Sequence, residues 1–284
     1  MPELPEVETV RRVLKKDLIG KKINNVEVRY KNIIEDDLDY FKSNVEGKII
    51  IDIKRYAKFL IFCLSDDSYI LSHLRMEGKY FYLPTNTLDN KHVHVIYHLD
   101  NGYDLIYQDV RKFGRMEYKT KDELYSTKPL SDIGYDLVLT DFNKDIKEEL
   151  LRKINNRRIP IKTILLDQSI MAGLGNIYVD EVLFDSAINP HRAGNLIKKA
   201  ELDKIIEASI LILNKAIELK GTTIRSYTSS LGVEGGFQNF LKVHTKNTCP
   251  NCKKGLCCDK IGGRSTYYCE RCQKWKRLLV LQAV

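Results

Sequence analysis

The residues of this chain with the most chemical reach stand near its two ends. The start Met1-Pro2-Glu3-Leu4-Pro5-Glu6 places a small residue after the initiator methionine. Removal of Met1 would give Pro2 a free secondary amine, which no internal residue offers. An unperturbed α-amino group has a pKa of roughly 7.7–8.0, so a usable fraction is neutral and nucleophilic near pH 7. Attack of such an amine on a sugar C1′ expels a base and leaves a covalent iminium, which is nucleophilic catalysis of the Schiff-base kind. Glu3 and Glu6 put carboxylates close by, able to move protons or steady a developing cation. Spacing alone favours a plainer reading, because proline and acidic residues also open ordinary helices, and Pro5, Glu6 and Glu8 suit that role.

Toward the other end, Cys249-Pro250-Asn251-Cys252 is followed, after sixteen residues, by Cys269-Glu270-Arg271-Cys272. Two C-x-x-C pairs at this separation match a four-cysteine zinc site with one structural ion. A redox dithiol is the weaker alternative, since it needs only one pair. Cys257 and Cys258 lie between the pairs and are open as substitute ligands; Cys63 reads as core. Arg264, in Gly262-Gly263-Arg264-Ser265, would sit at a hairpin tip, either offered to a phosphate or simply solvated.

The elements that must position these groups are partly legible. Val7, Val10, Leu14 and Leu18 recur at helical spacing, Lys15 and Lys16 fall in the last turn and Gly20 follows, which predicts a helix over 5–18. Its positive N-terminus would disfavour protonation of the Pro2 amine. Residues 21–118 read mainly as strands: Ile49 to Arg55, Ala57 to Leu64, Ser68 to Leu74, Gly78 to Leu83, Val93 to Leu99 and Tyr103 to Gln108, separated by turn signals. Such close spacing predicts an antiparallel sandwich or barrel. Residues 119–142, with Pro129 and Gly134, read as a linker. Helices are then expected from Phe142 to Lys153, after Pro160, from Gly175 to Ser186, and through Leu202, Ile205, Leu213 and Ile217 to Gly221. Residues 221–238, rich in Gly, Ser and Thr, are either a connector or a mobile substrate loop.

Composition narrows the partners. The 284 residues carry a formal net charge of +8. Eight Lys/Arg against two Asp/Glu lie from Cys249 onward, so this segment alone contributes +6. That balance points to a polyanion, although a basic tail is also a solubility feature. The acidic start lacks the basic region of a secretion signal, so the seven cysteines read as metal ligands before disulfides. No apolar run reaches the ~18 residues that a membrane helix needs.

Taken together, these segments resemble formamidopyrimidine-DNA glycosylases over nearly the whole chain. The resemblance lies in Pro2-Glu3-Leu4-Pro5-Glu6-Val7-Glu8-Thr9, Arg55-Tyr56-Ala57-Lys58, His73-Leu74-Arg75-Met76-Glu77-Gly78, Asp109-Val110-Arg111-Lys112-Phe113-Gly114, Ala172-Gly173-Leu174-Gly175-Asn176-Ile177-Tyr178 and the cysteine module. It departs at Val110 and Lys112, where the family often has Pro and Arg, and in the extra Cys257 and Cys258.

The resemblance implies an α+β multidomain fold: a catalytic helix and antiparallel β-sandwich over 1–130, a helix-two-turn-helix domain over 131–240 with the lesion loop 221–238, and a zinc ribbon over 241–284. It implies a bifunctional glycosylase and abasic-site lyase, a bacterial, cytoplasmic, nucleoid-associated monomer acting on damaged double-stranded DNA in a basic cleft between domains. Pro2 would be the nucleophile, Glu3 its acid/base partner and Glu6 a supporting carboxylate. Lys58, His73, Asn176 and Arg264 would grip phosphates, with Lys58 and Arg264 close to the chemistry and His92 a further DNA contact. Met76, Arg111 and Phe113 would fill the gap left by the extruded nucleotide, Arg111 facing the orphaned cytosine. Without the family, Met76 and Phe113 read as core or turn residues. Cys249, Cys252, Cys269 and Cys272 would bind zinc. Endonuclease VIII, which prefers oxidised pyrimidines, is a rival within the class; Leu4, Val7 and the 221–238 loop lean toward the purine enzyme. A silent zinc-ribbon DNA-binding protein is a rival outside it, but has no use for Pro2-Glu3.

Overall fold

A computed structural model describes residues 2–222 and 235–275. The chain divides into two compact units, 1–133 with 215–238 and 134–214 with 239–284.

In the first unit, α1 spans Leu4–Leu18. Glu3 and Glu6 open it with a reciprocal capping box, in which Glu6 Oε2 accepts the Glu3 N–H at 2.8 Å, satisfying two donors that a helix start leaves orphaned. Next come β1 (Ile23–Val28), α2 (Leu38–Val45), β2 (Ile50–Tyr56), β3 (Phe59–Leu64), β4 (Tyr69–His73), β5 (Lys79–Pro84), β6 (Val93–Leu99), β7 (Tyr103–Gln108), β8 (Arg115–Lys119) and the short α3 (Glu123–Ser126). Two four-stranded antiparallel sheets result, ordered β1-β6-β7-β5 and β2-β3-β4-β8. Val26, Tyr97 and Tyr107 from one and Ile53, Phe62, Ile70 and Met116 from the other join Val7, Val10 and Leu14 of α1 in a single buried cluster. This is the sandwich expected from the strand spacing, with α1 packed into its core.

Two expectations need correction. Residues 38–45 form a helix inside a stretch that reads as strand. Asp37 caps it by accepting the Asp39 and Tyr40 N–H groups, and Phe41 and Val45, four apart, are its buried face. Residues 119–133 are more than a linker. Leu124 and Leu130 pack with Phe59, Ile61, Cys63 and Leu71, so every position of β3 is buried. A strand covered on both faces is apolar throughout.

The second unit contains β9 (Tyr135–Asp136), α4 (Lys144–Asn155), α5 (Ile161–Leu165), β10 (Met171–Ala172) and α6 (Asn176–Asp185). α7 (Lys199–Glu218) runs on into the first unit's 215–238 segment. Asn143 Oδ1 accepts the Ile146 N–H at 3.0 Å, which sets the start of α4 two residues later than expected. The antiparallel hairpin β11 (Cys257–Ile261) and β12 (Arg264–Tyr268) turns through Gly262 and Gly263, both at positive φ, where glycine carries no steric penalty. Among the described residues, no helix is long and apolar enough to cross a membrane.

Candidate functional site

The N-terminal turn is buried and fixed by hydrogen bonds. Pro2 is buried, and Glu3 and Glu6 are 2% and 5% exposed. While Oε2 of Glu6 serves the capping box, its Oε1 accepts the Thr222 N–H at 2.8 Å and the Thr222 hydroxyl at 3.2 Å. Gly221, at φ +80°, leaves room for this contact, since a Cβ there would stand 2.5 Å from Glu6 Oε1. Glu6 therefore ties the start of α1 to the first two residues of the 221–238 segment. Residues 223–234 of that segment lie outside the described residues.

A second anchor reaches the turn between β2 and β3. Glu8 binds Arg11 and Arg12 at 2.8 Å and the buried Arg55 at 3.2 Å. Burial pulls the Glu8 carboxyl upward, but the hydrogen bonds from Arg11 and Arg12 and the charges of Arg11 and Arg55 outweigh it and leave it below the usual carboxylate range. Arg55 also donates to the Ala57 carbonyl at 3.0 Å, holding Ala57 at φ +52°. The next residue is the buried Lys58. Glu8 and Arg55 were not singled out as site residues, because a pairing across 47 positions leaves no local signal.

His73, the last residue of β4, stands edge-on to Phe59 with ring centroids 4.6 Å apart. Its Nδ1 accepts the Arg75 N–H at 2.9 Å, so the neutral ring carries its proton on Nε2 and is a donor there. Burial, then the charges of Arg75 and Lys58, pushes its pKa down to about 3. We expect the His73 ring resonances of the free protein to show no titration between pH 5 and 8. The unfolded ring, with a pKa of about 6.5, takes up a proton that the folded ring refuses. This contribution to stability is therefore complete above the unfolded value and is lost as pH falls from there toward 3. An NMR inflection near pH 6 at His73 would contradict the assignment.

Two turns carry the remaining first-unit candidates. Residues 74–78 close with the Gly78 N–H on the Leu74 carbonyl at 3.0 Å and hold the half-buried Met76. Residues 109–114 are organised by Asp109, which is completely buried. Its carboxylate accepts the N–H groups of Arg111, Phe113 and Gly114 at 2.8–2.9 Å. That leaves Val110, Arg111 and Phe113 exposed, the Arg111 guanidinium lying 4.9 Å from the Phe113 ring centroid. His92 meets this turn through its backbone, its carbonyl accepting the Asp109 N–H at 2.9 Å.

In the second unit, Asn176 opens α6, and its Nδ2 donates to the Ser265 carbonyl at 3.0 Å. Its buried Oδ1 has no hydrogen-bond partner among the described residues. Lys162, also completely buried, reaches the same carbonyl at 3.0 Å and Asp180 at 2.7 Å. Asp180 in turn holds His244 at 2.8 Å and the Tyr267 N–H at 3.2 Å. This buried network fixes the residue after Arg264, whose own side chain is exposed.

The Sγ atoms of Cys249, Cys252, Cys269 and Cys272 all lie within 4.8 Å of one another and can hold a metal ion. Cys249 and Cys272 are 3.7 Å apart, Cys252 and Cys269 3.5 Å. Cys257 and Cys258 lie on β11 outside this cluster. Burial pushes the Cys63 thiol up to about 11, as expected of a core cysteine.

Comparison with known proteins places this geometry. Residues 1–116 match the family model of the formamidopyrimidine-DNA glycosylase N-terminal domain, and residues 133–228 that of the formamidopyrimidine-DNA glycosylase H2TH domain. The chain is 43% identical over 278 residues to formamidopyrimidine-DNA glycosylase of Streptococcus pneumoniae, spanning 96% of this chain and 99% of that protein. The Streptococcus mutans protein of the same name is 44% identical over 276 residues, covering 96% and 100%. Wild-type Lactococcus lactis Fpg in complex with DNA containing N7-benzyl-Fapy-dG superposes with a TM-score of 0.89 at 38% identity, over 96% of this chain and all of that one.

Proposed function

The chain belongs to the formamidopyrimidine-DNA glycosylase family, and we propose that it excises oxidised purines from double-stranded DNA through Pro2 and then cuts the strand. The observation that supports this reading is the buried N-terminal turn, where the Glu3–Glu6 capping box and the Glu6–Thr222 hydrogen bonds fix two carboxylates within four residues of Pro2 in the chain. The amine nitrogen attacks C1′, the C1′–N bond to the base breaks and the base leaves with the proton the amine gives up. The C1′–O4′ bond then opens, O4′ takes up a proton, and C1′ becomes doubly bonded to the proline nitrogen. The resulting iminium acidifies the C2′ proton. Elimination releases the 3′ phosphate and then the 5′ phosphate.

The target must leave the stack for this attack, at a cost of a few kcal/mol. On our reading Met76 and Phe113 occupy the gap, as apolar wedges do, and Arg111 offers two donors to the edge of the unpaired base. Lys58, His73, His92, Asn176 and Arg264 hold the backbone. Asn176 and Arg264 share one scaffold through Ser265, which suits two contacts to neighbouring phosphates. We propose with these roles a division into a catalytic sandwich over 1–130, a helical domain over 131–240 and a ribbon over 241–284.

We assign one zinc ion to the four cysteines. Tetrahedral thiolates about 2.3 Å from zinc stand about 3.8 Å from one another, and the observed sulfur pairs at 3.7 and 3.5 Å fit that spacing. With four protein ligands the ion would stabilise the ribbon and take no part in the reaction.

The test separates binding from chemistry. Glu3→Gln is expected to keep its affinity for a lesion duplex while excision falls by roughly 10²–10⁴-fold, the usual contribution of a positioned acid/base group. Single-turnover excision and a binding titration on the same duplex read the two quantities. Excision at the parental rate would remove Glu3 from the mechanism.

A further inference from the structure

The two turns that carry Met76 and Arg111 leave and rejoin different strands, yet they meet at one atom. Tyr107, on β7, is completely buried, its ring packed 5.2 Å from that of Tyr80. Its hydroxyl donates to Asp109 Oδ2 at 3.3 Å. A Cβ built on Gly78 would stand 2.3 Å from the Tyr107 oxygen, and one on Gly114 would stand 1.6 Å from it. No real Cβ tolerates either approach. The hydroxyl therefore lies against the backbone of both turns, in positions that only glycine permits. Gly78 ends the turn that holds Met76 and Gly114 ends the one that holds Arg111 and Phe113.

The same oxygen touches the carboxylate that shapes the second turn. Asp109 Oδ2 accepts the N–H groups of Phe113 and Gly114 as well as the Tyr107 hydroxyl. A shift of this oxygen would thus displace the backbone beneath Phe113 and the backbone two residues beyond Met76 together. Close-packed interiors transmit such shifts because there is no free volume to absorb them.

We propose that the Tyr107 hydroxyl is a positioning element for opposite-base discrimination. It sets the distance between the Met76 turn and the Arg111–Phe113 turn, and so the register in which Arg111 meets the unpaired base. The inference rests on the roles given above to Met76, Arg111 and Phe113. It adds a residue that touches neither DNA nor the reacting atoms.

The experiment compares Tyr107→Phe, Gly78→Ala and Arg111→Ala with the parent protein. Each is assayed for single-turnover excision of 8-oxoguanine opposite cytosine and opposite adenine. Tyr107→Phe keeps the buried ring and removes only the oxygen, so thermal stability should change little. The ratio of the two rates should fall about three- to tenfold, less than the ~10²-fold that a 1 Å misplacement at a reacting centre costs. Gly78→Ala drives a Cβ into the same joint from the other turn and should lower the ratio in the same direction. A merely structural role would slow both substrates equally and leave the ratio unchanged. Arg111→Ala keeps the two ideas apart. If it leaves the ratio at the parental value, the assigned role of Arg111 is wrong. If it lowers the ratio while Tyr107→Phe and Gly78→Ala both keep the parental value, the Tyr107 inference is overturned and the role of Arg111 stands.

Discussion

Borohydride added to the protein with a duplex carrying 8-oxoguanine opposite cytosine should join the two chains through Pro2. The iminium formed when the Pro2 nitrogen displaces the base and the C1′–O4′ bond opens has a C=N bond that hydride reduces to a stable amine, freezing the intermediate. Peptide mapping should place the adduct on the first residue after Met1 removal. Pro2→Gly retains an amine but a primary one, and should release base more slowly. An N-terminal tag converts the amine to an amide and should lower excision to the uncatalysed background while leaving duplex binding in place. Both outcomes follow from one property of the turn. Glu3, Leu4 and Pro5 are buried and take part in the capped first turn, and none of the three carries an amine that could take over the attack. An adduct on a lysine with Pro2 unmodified would end this mechanism. A duplex with an oxidised pyrimidine, run in parallel, shows whether the lesion class has been read correctly.

How much of this was legible in the sequence depends on the range of each interaction. The first helix could be read because Val7, Val10, Leu14 and Leu18 repeat at the helix period and all four are buried. The cysteine cluster could be read because each C-x-x-C pair encodes half of the site locally. α2 was missed because only Phe41 and Val45 mark its face and its strongest signal is the Asp37 cap. The covering role of residues 119–133 was missed because Leu124 and Leu130 are single apolar residues among polar ones, and only the opposite face of β3 gives them a purpose. The anchoring groups were the least legible. Lys162 meets Ser265 across 103 positions and Asn176 meets it across 89. Asp109 was recognisable as part of a motif, but its function comes from three backbone N–H groups brought round by Lys112 at φ +58°. The residues that would touch DNA belong to short local motifs, whereas those that position them are joined only by the fold.

Cys249→Ser should lose metal and DNA affinity together while the N-terminal amine stays chemically intact. Four sulfurs within 4.8 Å of one another would repel as thiolates without a cation, so on our reading one ion would hold the ligand set and the ribbon together. Among the described residues, the apolar support of the ribbon is small. Its buried cluster consists of Cys249 and Cys269 themselves with Phe184 and Val243, bordered by Leu256 and Tyr267, and segments this small depend on a metal or crosslink to fold. Isolated zinc fingers gain about 10–16 kcal/mol from the ion. The loss here should be smaller, because Lys162 and Asn176 still hold the Ser265 carbonyl. Arg264 would then keep one anchor and lose the hairpin, so affinity for an abasic-analogue duplex should fall at least about tenfold, roughly 1.4 kcal/mol. Cys257→Ser and Cys258→Ser should retain one zinc per chain, since both residues lie outside the cluster. Elemental analysis and fluorescence anisotropy on the same preparations decide the matter. Full zinc occupancy with parental affinity in Cys249→Ser would refute both the ligand set and the scaffold role.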